Sequence, residues 1–127
     1  MKALSIRQPW AGLIAAQIKT IETRTWTTKY RGPLLIVAGR QIDEGARQRF
    51  LKAGTPYSVF PQGVAVAVVE LVDCFQMADV HEKAAMVPAR PGLFGWRLEL
   101  IAAIDKPFPV KGKLGLFEVE VDARAFL

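Results

Sequence analysis

Residues 64–71 read Val64-Ala65-Val66-Ala67-Val68-Val69-Glu70-Leu71. β-branched residues suit a pleated, packed surface, and no glycine or proline interrupts the run. The stretch predicts the strongest strand of the chain, closely packed through its alternating valines and alanines. Working outward, residues 34–38 form a second, near-continuously apolar run that follows the turn signal Tyr30-Arg31-Gly32-Pro33. Residues 2–7, 94–101 and 116–121 add further strands, the second of them carrying Trp96 inward and Arg97 outward. Between these lie helical segments. Residues 9–17 begin at Pro9, which suits a first turn, and place Trp10, Leu13 and Ile14 on one stripe. Residues 43–52 turn Ala46, Phe50 and Leu51 inward, with Gly54 closing the helix. Residues 79–86 give a third short helix, and 55–62 and 88–92 read as loops. Five or six mostly antiparallel strands with short helices predict an α+β fold, a compact barrel with helices against its ends or side.

The chain has 127 residues, which predicts one domain over 1–127. Hydrophobic residues make up 51% and charged residues 23%, which excludes disorder as the main state. Cys74 and His81 are single residues of their kinds. They exclude an internal disulfide framework and a Cys/His zinc cluster, so no metal and no cofactor is expected. Cys74 reads as a small buried apolar residue and His81 as a solvated one. The apolar runs fall far short of the roughly 20 residues of a spanning helix, and no export signal precedes them. A cytoplasmic protein without a membrane partner is expected. The glycines form no phosphate loop, and no serine sits in a nucleophile elbow.

Charge is unevenly spread. The formal net charge is +5. Residues 1–52 hold ten bases and three acids, whereas residues 53–127 hold seven bases and nine acids. A concentrated positive field attracts polyanions through phosphate charge and counterion release, although scattered surface bases also serve solubility.

The densest polar cluster lies within that basic segment: Ser5, Arg7, Gln8, Trp10, Lys19, Glu22, Arg24 and Trp26. In Lys19-Thr-Ile-Glu22-Thr-Arg24-Thr-Trp26 a strand period of two puts Glu22, Arg24 and Trp26 on one face. A charged and aromatic face suits the wall of a cleft. Arginine and lysine hold phosphate or carboxylate. Glu22 between cations stays ionised, and Trp10 and Trp26 offer stacking faces to a nucleobase. Structural readings stand beside these. Trp10 on an apolar helix can be core, Glu22 and Arg24 can be an internal ion pair, and Lys19 can serve the end of a helix.

The stretch Leu4-Ser5-Ile6-Arg7-Gln8-Pro9-Trp10-Ala11, the spacing Lys19-x-x-Glu22-x-Arg24-x-Trp26, Tyr30-Arg31-Gly32-Pro33, Phe94-Gly95-Trp96 and Lys111-Gly112-x-x-Gly115-Leu116-Phe117 resemble the ASCH (activating-signal-cointegrator homology) domain family. The resemblance covers almost the whole chain, with Gln17-Ile18 where the family usually has glycine before the lysine. It implies a PUA-like β-barrel with a helix beside a cleft, lined by Ser5, Arg7, Gln8, Trp10, Lys19, Glu22 and Arg24. It also implies a nucleic-acid partner: single-stranded RNA, a modified nucleoside, or DNA. Some small relatives are amidohydrolases acting on N4-acetylcytidine, and others are ribonucleases. In an enzyme, Lys19 would be the base or nucleophile and Glu22 the proton shuttle. The deacylase pattern has a threonine where this chain has Glu22, and its later glutamate finds only a loose candidate in Glu82. Protein–protein coregulation is a third class of role.

Overall fold

The computed structural model describes residues 1–54, 61–122 and 124. The greater part of the loop expected over 55–62 falls outside the described residues. The elements run β1 (Lys2–Gln8), α1 (Trp10–Ala15), β2 (Ile21–Arg24), β3 (Gly32–Ile42), α2 (Glu44–Lys52), β4 (Val64–Gln76), a 3-10 turn (Asp79–His81) leading into α3 (Glu82–Ala85), β5 (Phe94–Pro109) and β6 (Leu116–Glu118). Six strands form one sheet in the order β2-β5-β4-β3-β1-β6. Among the described residues only β1 and β3 run parallel, joined by the crossover that carries α1 and β2, as parallel neighbours require. The other pairings are antiparallel. The α+β class with short helices is as expected.

The barrel is an open one. β2 and β6 are the two ends of the ladder and do not pair with each other. The sheet nevertheless curls. In a flat sheet β2 and β1, four places apart, would lie about 19 Å from each other, beyond an arginine's reach. Yet Arg24 Nη2 of β2 donates to the Ser5 carbonyl of β1 at 2.9 Å. The molecule is an open, rolled sheet with a side-chain bridge across its mouth.

Helix α1 packs on β1, β3, β4 and β5. There Leu13 and Ile14 join Leu4, Ile6, Leu34, Ile36, Val69, Leu71, Trp96 and Leu98 in the main core. The other face carries a second cluster around Ala3, Leu35, Val37, Ala65, Val68 and Phe117. Burial on both faces explains the nearly unbroken apolar run of β4. A register shift between Ala65 and Ala67 lets Val66 and Ala67 both join the first cluster while Ala65 and Val68 serve the second. An extra residue in a ladder reverses the alternation after it.

Strands β4 and β5 extend past residues 71 and 101, their expected ends. The ladder continues through backbone pairing past polar Asp73 and Gln76, whichever side chains are exposed. The last strand is shorter than expected, three residues. On α2, Ala46 is buried and Phe50 packs on the core, whereas Leu51 is exposed, contrary to expectation. His81 is half-buried, its ring against Phe75 and its Nδ1 accepting from Ala78 N at 3.0 Å, so it is not simply solvated. Cys74 is partly buried against the main core.

Candidate functional site

A cleft of about 1010 Å³ opens where β1, β2 and the end of β3 meet the loops after α3 and β5. Seven of the eight residues expected at a site line it: Ser5, Arg7, Trp10, Lys19, Glu22, Arg24 and Trp26. Gln8 does not. It is 2% exposed, its Nε2 donates to the Pro61 carbonyl at 2.7 Å, and its Oε1 accepts from Gly12 N at 2.9 Å. Its polarity serves the entry to α1, because a buried amide must find its partners inside the protein.

The floor is built on β2. Glu22 lies opposite Trp96 in the β2–β5 ladder, so the two side chains share a face. Glu22 is 6% exposed and Lys19, just before the strand, 2%. Glu22 Oε2 accepts from Arg24 Nη2 at 3.1 Å and Oε1 from Thr23 N at 3.1 Å. Lys19 Nζ stands 3.8 Å from Oε1, and it donates to the Ala85 carbonyl at the end of α3. Burial pushes the Lys19 ammonium below its ordinary value; Glu22 opposes that shift and Arg24 adds to it.

The two tryptophans differ. Trp10 is 9% exposed. Its indole N–H donates to Asp43 Oδ2 at 2.9 Å, Lys19 Nζ lies 4.8 Å from its ring centroid, and Phe50 meets it edge-on at 5.9 Å. Asp43 also accepts from Ala46 N at 3.1 Å and so caps α2. The indole bond, followed by that backbone bond and the charges of Arg7 and Arg49, holds the Asp43 carboxyl below its ordinary value against the effect of burial. With cation, edge and acid in place, Trp10 is held as part of the main core while it also lines the cleft. Trp26 is half-buried, set edge-on to Trp96 at 4.8 Å, with its carbonyl accepting from Trp96 Nε1 at 3.1 Å.

Sequence reasoning missed the outer wall. Arg40 and Gln41 end β3, residues 87–90 follow α3, and residues 111–115 connect β5 to β6; all line the cleft. Glu82 is not among the lining residues. Its carboxylate accepts from Ala89 N at 2.5 Å, pinning the loop that carries Arg90. Gly112 crosses Ser5 so closely that a Cβ there would stand 2.8 Å from Ser5 Oγ. The family-like Lys111-Gly112-x-x-Gly115 spacing was the available signal for this wall.

The lining holds Arg7, Lys19, Arg24, Arg40, Arg90, Lys111 and Lys113 against Glu22 and Asp43. Seven bases and two acids leave a local excess of five; the other ten bases and ten acids of the chain cancel. The entire formal excess thus sits around one cleft. Arg7, Arg40, Arg90, Lys111 and Lys113 are exposed. None of the five forms an ion pair among the described residues, unlike Lys19 and Arg24 on the floor.

The model of the ASCH domain family matches residues 4–118. This chain belongs to the ASCH domain family. Activating signal cointegrator 1 of Homo sapiens is 32% identical over 89 residues, covering 63% of this chain and 15% of that protein, and the Mus musculus protein matches equally. The ASCH chain thus spans about 15% of the length of these relatives. Among solved structures, ASCH from Zymomonas mobilis superposes with a TM-score of 0.64 at 14% identity, covering 94% of this chain and 87% of that one. A mutant of that protein gives 0.60 at 12% identity with the same coverage. At such identities the likeness speaks for the ASCH fold alone. No helix among the described residues is long and apolar enough to cross a membrane.

Proposed function

We propose that this ASCH domain binds single-stranded nucleic acid, RNA foremost, with the strand's backbone along the rim of the cleft and one base turned toward its floor. The supporting observation is the division of charge. Five exposed cations with no ion pair among the described residues ring the opening, while the two inner cations are committed to Glu22. Unpaired surface cations bind phosphate by releasing counterions. A buried floor whose two cations face a shared carboxylate suits base edges instead. Trp26, half-buried in the lining, supplies a stacking surface.

The test is a titration of a short labelled single-stranded RNA at rising salt. A strand is contacted with a log–log slope of roughly −0.7 per phosphate, so five contacts give about −3.5. Absence of binding at low salt, or a flat salt response, sinks the reading. A hydrolase reading has Lys19 and Glu22 in its favour, since a buried lysine with a lowered pKa adjoins a carboxylate. Turnover of N4-acetylcytidine by the wild type, abolished in Lys19→Ala and Glu22→Gln, would replace the binding reading with that one.

A further inference from the structure

The cleft floor holds three charged groups in a fixed order. Glu22 stands in the middle, with Lys19 Nζ 3.8 Å from one carboxylate oxygen and Arg24 Nη2 3.1 Å from the other. Each is anchored to backbone: Glu22 by Thr23 N, Lys19 by the Ala85 carbonyl and Arg24 by the Ser5 carbonyl. The order is therefore set before any ligand arrives. Ammonium and guanidinium groups only donate hydrogen bonds, and a carboxylate only accepts. The floor reads donor, acceptor, donor.

Capacity remains for a ligand at each position. Lys19 has three N–H groups, of which one meets Ala85 and one faces Glu22, and the ammonium also lies 4.8 Å from the Trp10 ring, a weaker contact with which a base carbonyl in the cleft would compete. Arg24 commits Nη2 to Ser5 and Glu22, while its Nη1 makes no hydrogen bond with the described residues. The Glu22 carboxylate offers about four acceptor directions and uses two in hydrogen bonds.

We infer that this floor recognises the imide edge of an unpaired pyrimidine, carbonyl–N–H–carbonyl, the edge that uracil and thymine share. The inference rests on the nucleic-acid reading above and adds to it the base that is read. An imide presents acceptor, donor, acceptor, the complement of Lys19, Glu22 and Arg24. Cytosine places its amino group against a cation and its ring nitrogen against the carboxylate. Adenine offers a donor and an acceptor in the same mismatched slots. Guanine matches two positions and turns its second donor toward a cation. A mismatch leaves buried charged groups unpaired, and that penalty is what makes a hydrogen-bonding site selective.

The experiment compares equal-length oligo(U), oligo(C), oligo(A), oligo(dT) and oligo(N3-methyl-U) at one salt concentration. Oligo(U) is expected to bind about tenfold or more tightly than oligo(C) or oligo(A), and N3-methylation, which removes the central N–H, is expected to erase the advantage. Oligo(dT) equal to oligo(U) supports the inference with the sugar unread; oligo(dT) weaker, with oligo(U) still ahead of oligo(C), supports it with a ribose contact. Oligo(C) or oligo(A) matching oligo(U), or methylated oligo(U) matching the parent, overturns it while leaving strand binding intact. No binding by any strand removes both readings together. Glu22→Gln supplies a second check. Glutamine carries a donor and an acceptor, so the preference for oligo(U) over oligo(C) should collapse. A preference retained in that variant also overturns the inference.

Discussion

Arg24 Nη2 donates at once to the Ser5 carbonyl, at 2.9 Å, and to Glu22 Oε2, at 3.1 Å. One guanidinium thus links strands that the sheet order separates by four places, and it fixes the carboxylate on the cleft floor. Arg24→Ala leaves a strand carbonyl without its donor and Glu22 with Lys19 as its remaining cation. We expect a loss of roughly 1–3 kcal/mol, the usual range for unsatisfied buried partners. Arg24→Lys, a point donor without the planar fork, should recover part of that. Arg47→Ala, which breaks an exposed ion pair with Glu44, serves as the comparison and should cost at most about 1 kcal/mol. Urea midpoints for the three variants check the ranking; an Arg24→Ala loss no larger than that of Arg47→Ala would contradict the bridge.

Lys19 gives the fold an alkaline signature. Burial lowers its pKa in the folded state below the ordinary value of 10.5. Between that lowered value and 10.5 the unfolded chain binds more protons than the folded one, so unfolding free energy rises with pH across the window. Below the lowered value the buried ammonium is a constant burden on the fold. Lys19→Met lacks this titration. The stability difference between wild type and Lys19→Met should therefore shift in favour of the wild type as pH climbs toward 10.5. Denaturant melts at a series of alkaline pH values measure it, and parallel curves would refute it.

Asp43 gives the opposite limb. The Trp10 indole holds its carboxyl low first, then the Ala46 N–H and the charges of Arg7 and Arg49. The lowered value means that its stabilisation is complete above the unfolded pKa near 3.8 and drains away as pH falls through the folded value. Trp10→Phe removes the leading cause, so its acid loss should be shallower than that of the wild type. Asp43→Ala also uncaps α2 and orphans the indole N–H, together worth about 2 kcal/mol at neutral pH. Acid melts of both variants follow these effects, and a Trp10→Phe acid limb as steep as that of the wild type would exclude the indole as the leading cause.

The floor of the site was legible in the sequence because its members lie within eight residues. A strand period of two was enough to bring Glu22 and Arg24 together, and Lys19 precedes Glu22 by three. The outer wall was not legible, because tertiary pairing assembles it. β6 docks on β1 through Lys2–Glu118, Ala3–Phe117 and Leu4–Leu116, and the connection before it brings Gly112 against Ser5 and Lys111 and Lys113 into the cleft lining. Arg90 arrives through a loop that Glu82 pins. These three bases come from the part of the chain where acids outnumber bases, so charge counted along the sequence misplaced part of the field. Gln8 misled in the other direction, since a polar residue within the motif serves burial rather than the cleft. Short polar stretches also hid the full lengths of β4 and β5, where backbone pairing outlasts the apolar pattern.

The contact between Gly112 and Ser5 makes the wall testable by a pair of substitutions. A Cβ at residue 112 would sit 2.8 Å from Ser5 Oγ and 3.4 Å from its Cβ. The first separation is too close and the second ordinary. Gly112→Ala should therefore push residues 111–115 outward and carry Lys111 and Lys113 from the rim. RNA affinity should fall, with the salt slope losing up to about 1.4 for two displaced cations. Adding Ser5→Ala removes the clashing oxygen and leaves the 3.4 Å contact, so the double variant should recover the wild-type slope. Lys111→Ala/Lys113→Ala should show the same reduced slope, and there Ser5→Ala should restore nothing, since no clash exists to relieve. A Gly112→Ala defect that Ser5→Ala fails to repair would show that the glycine matters for a reason other than its approach to Ser5.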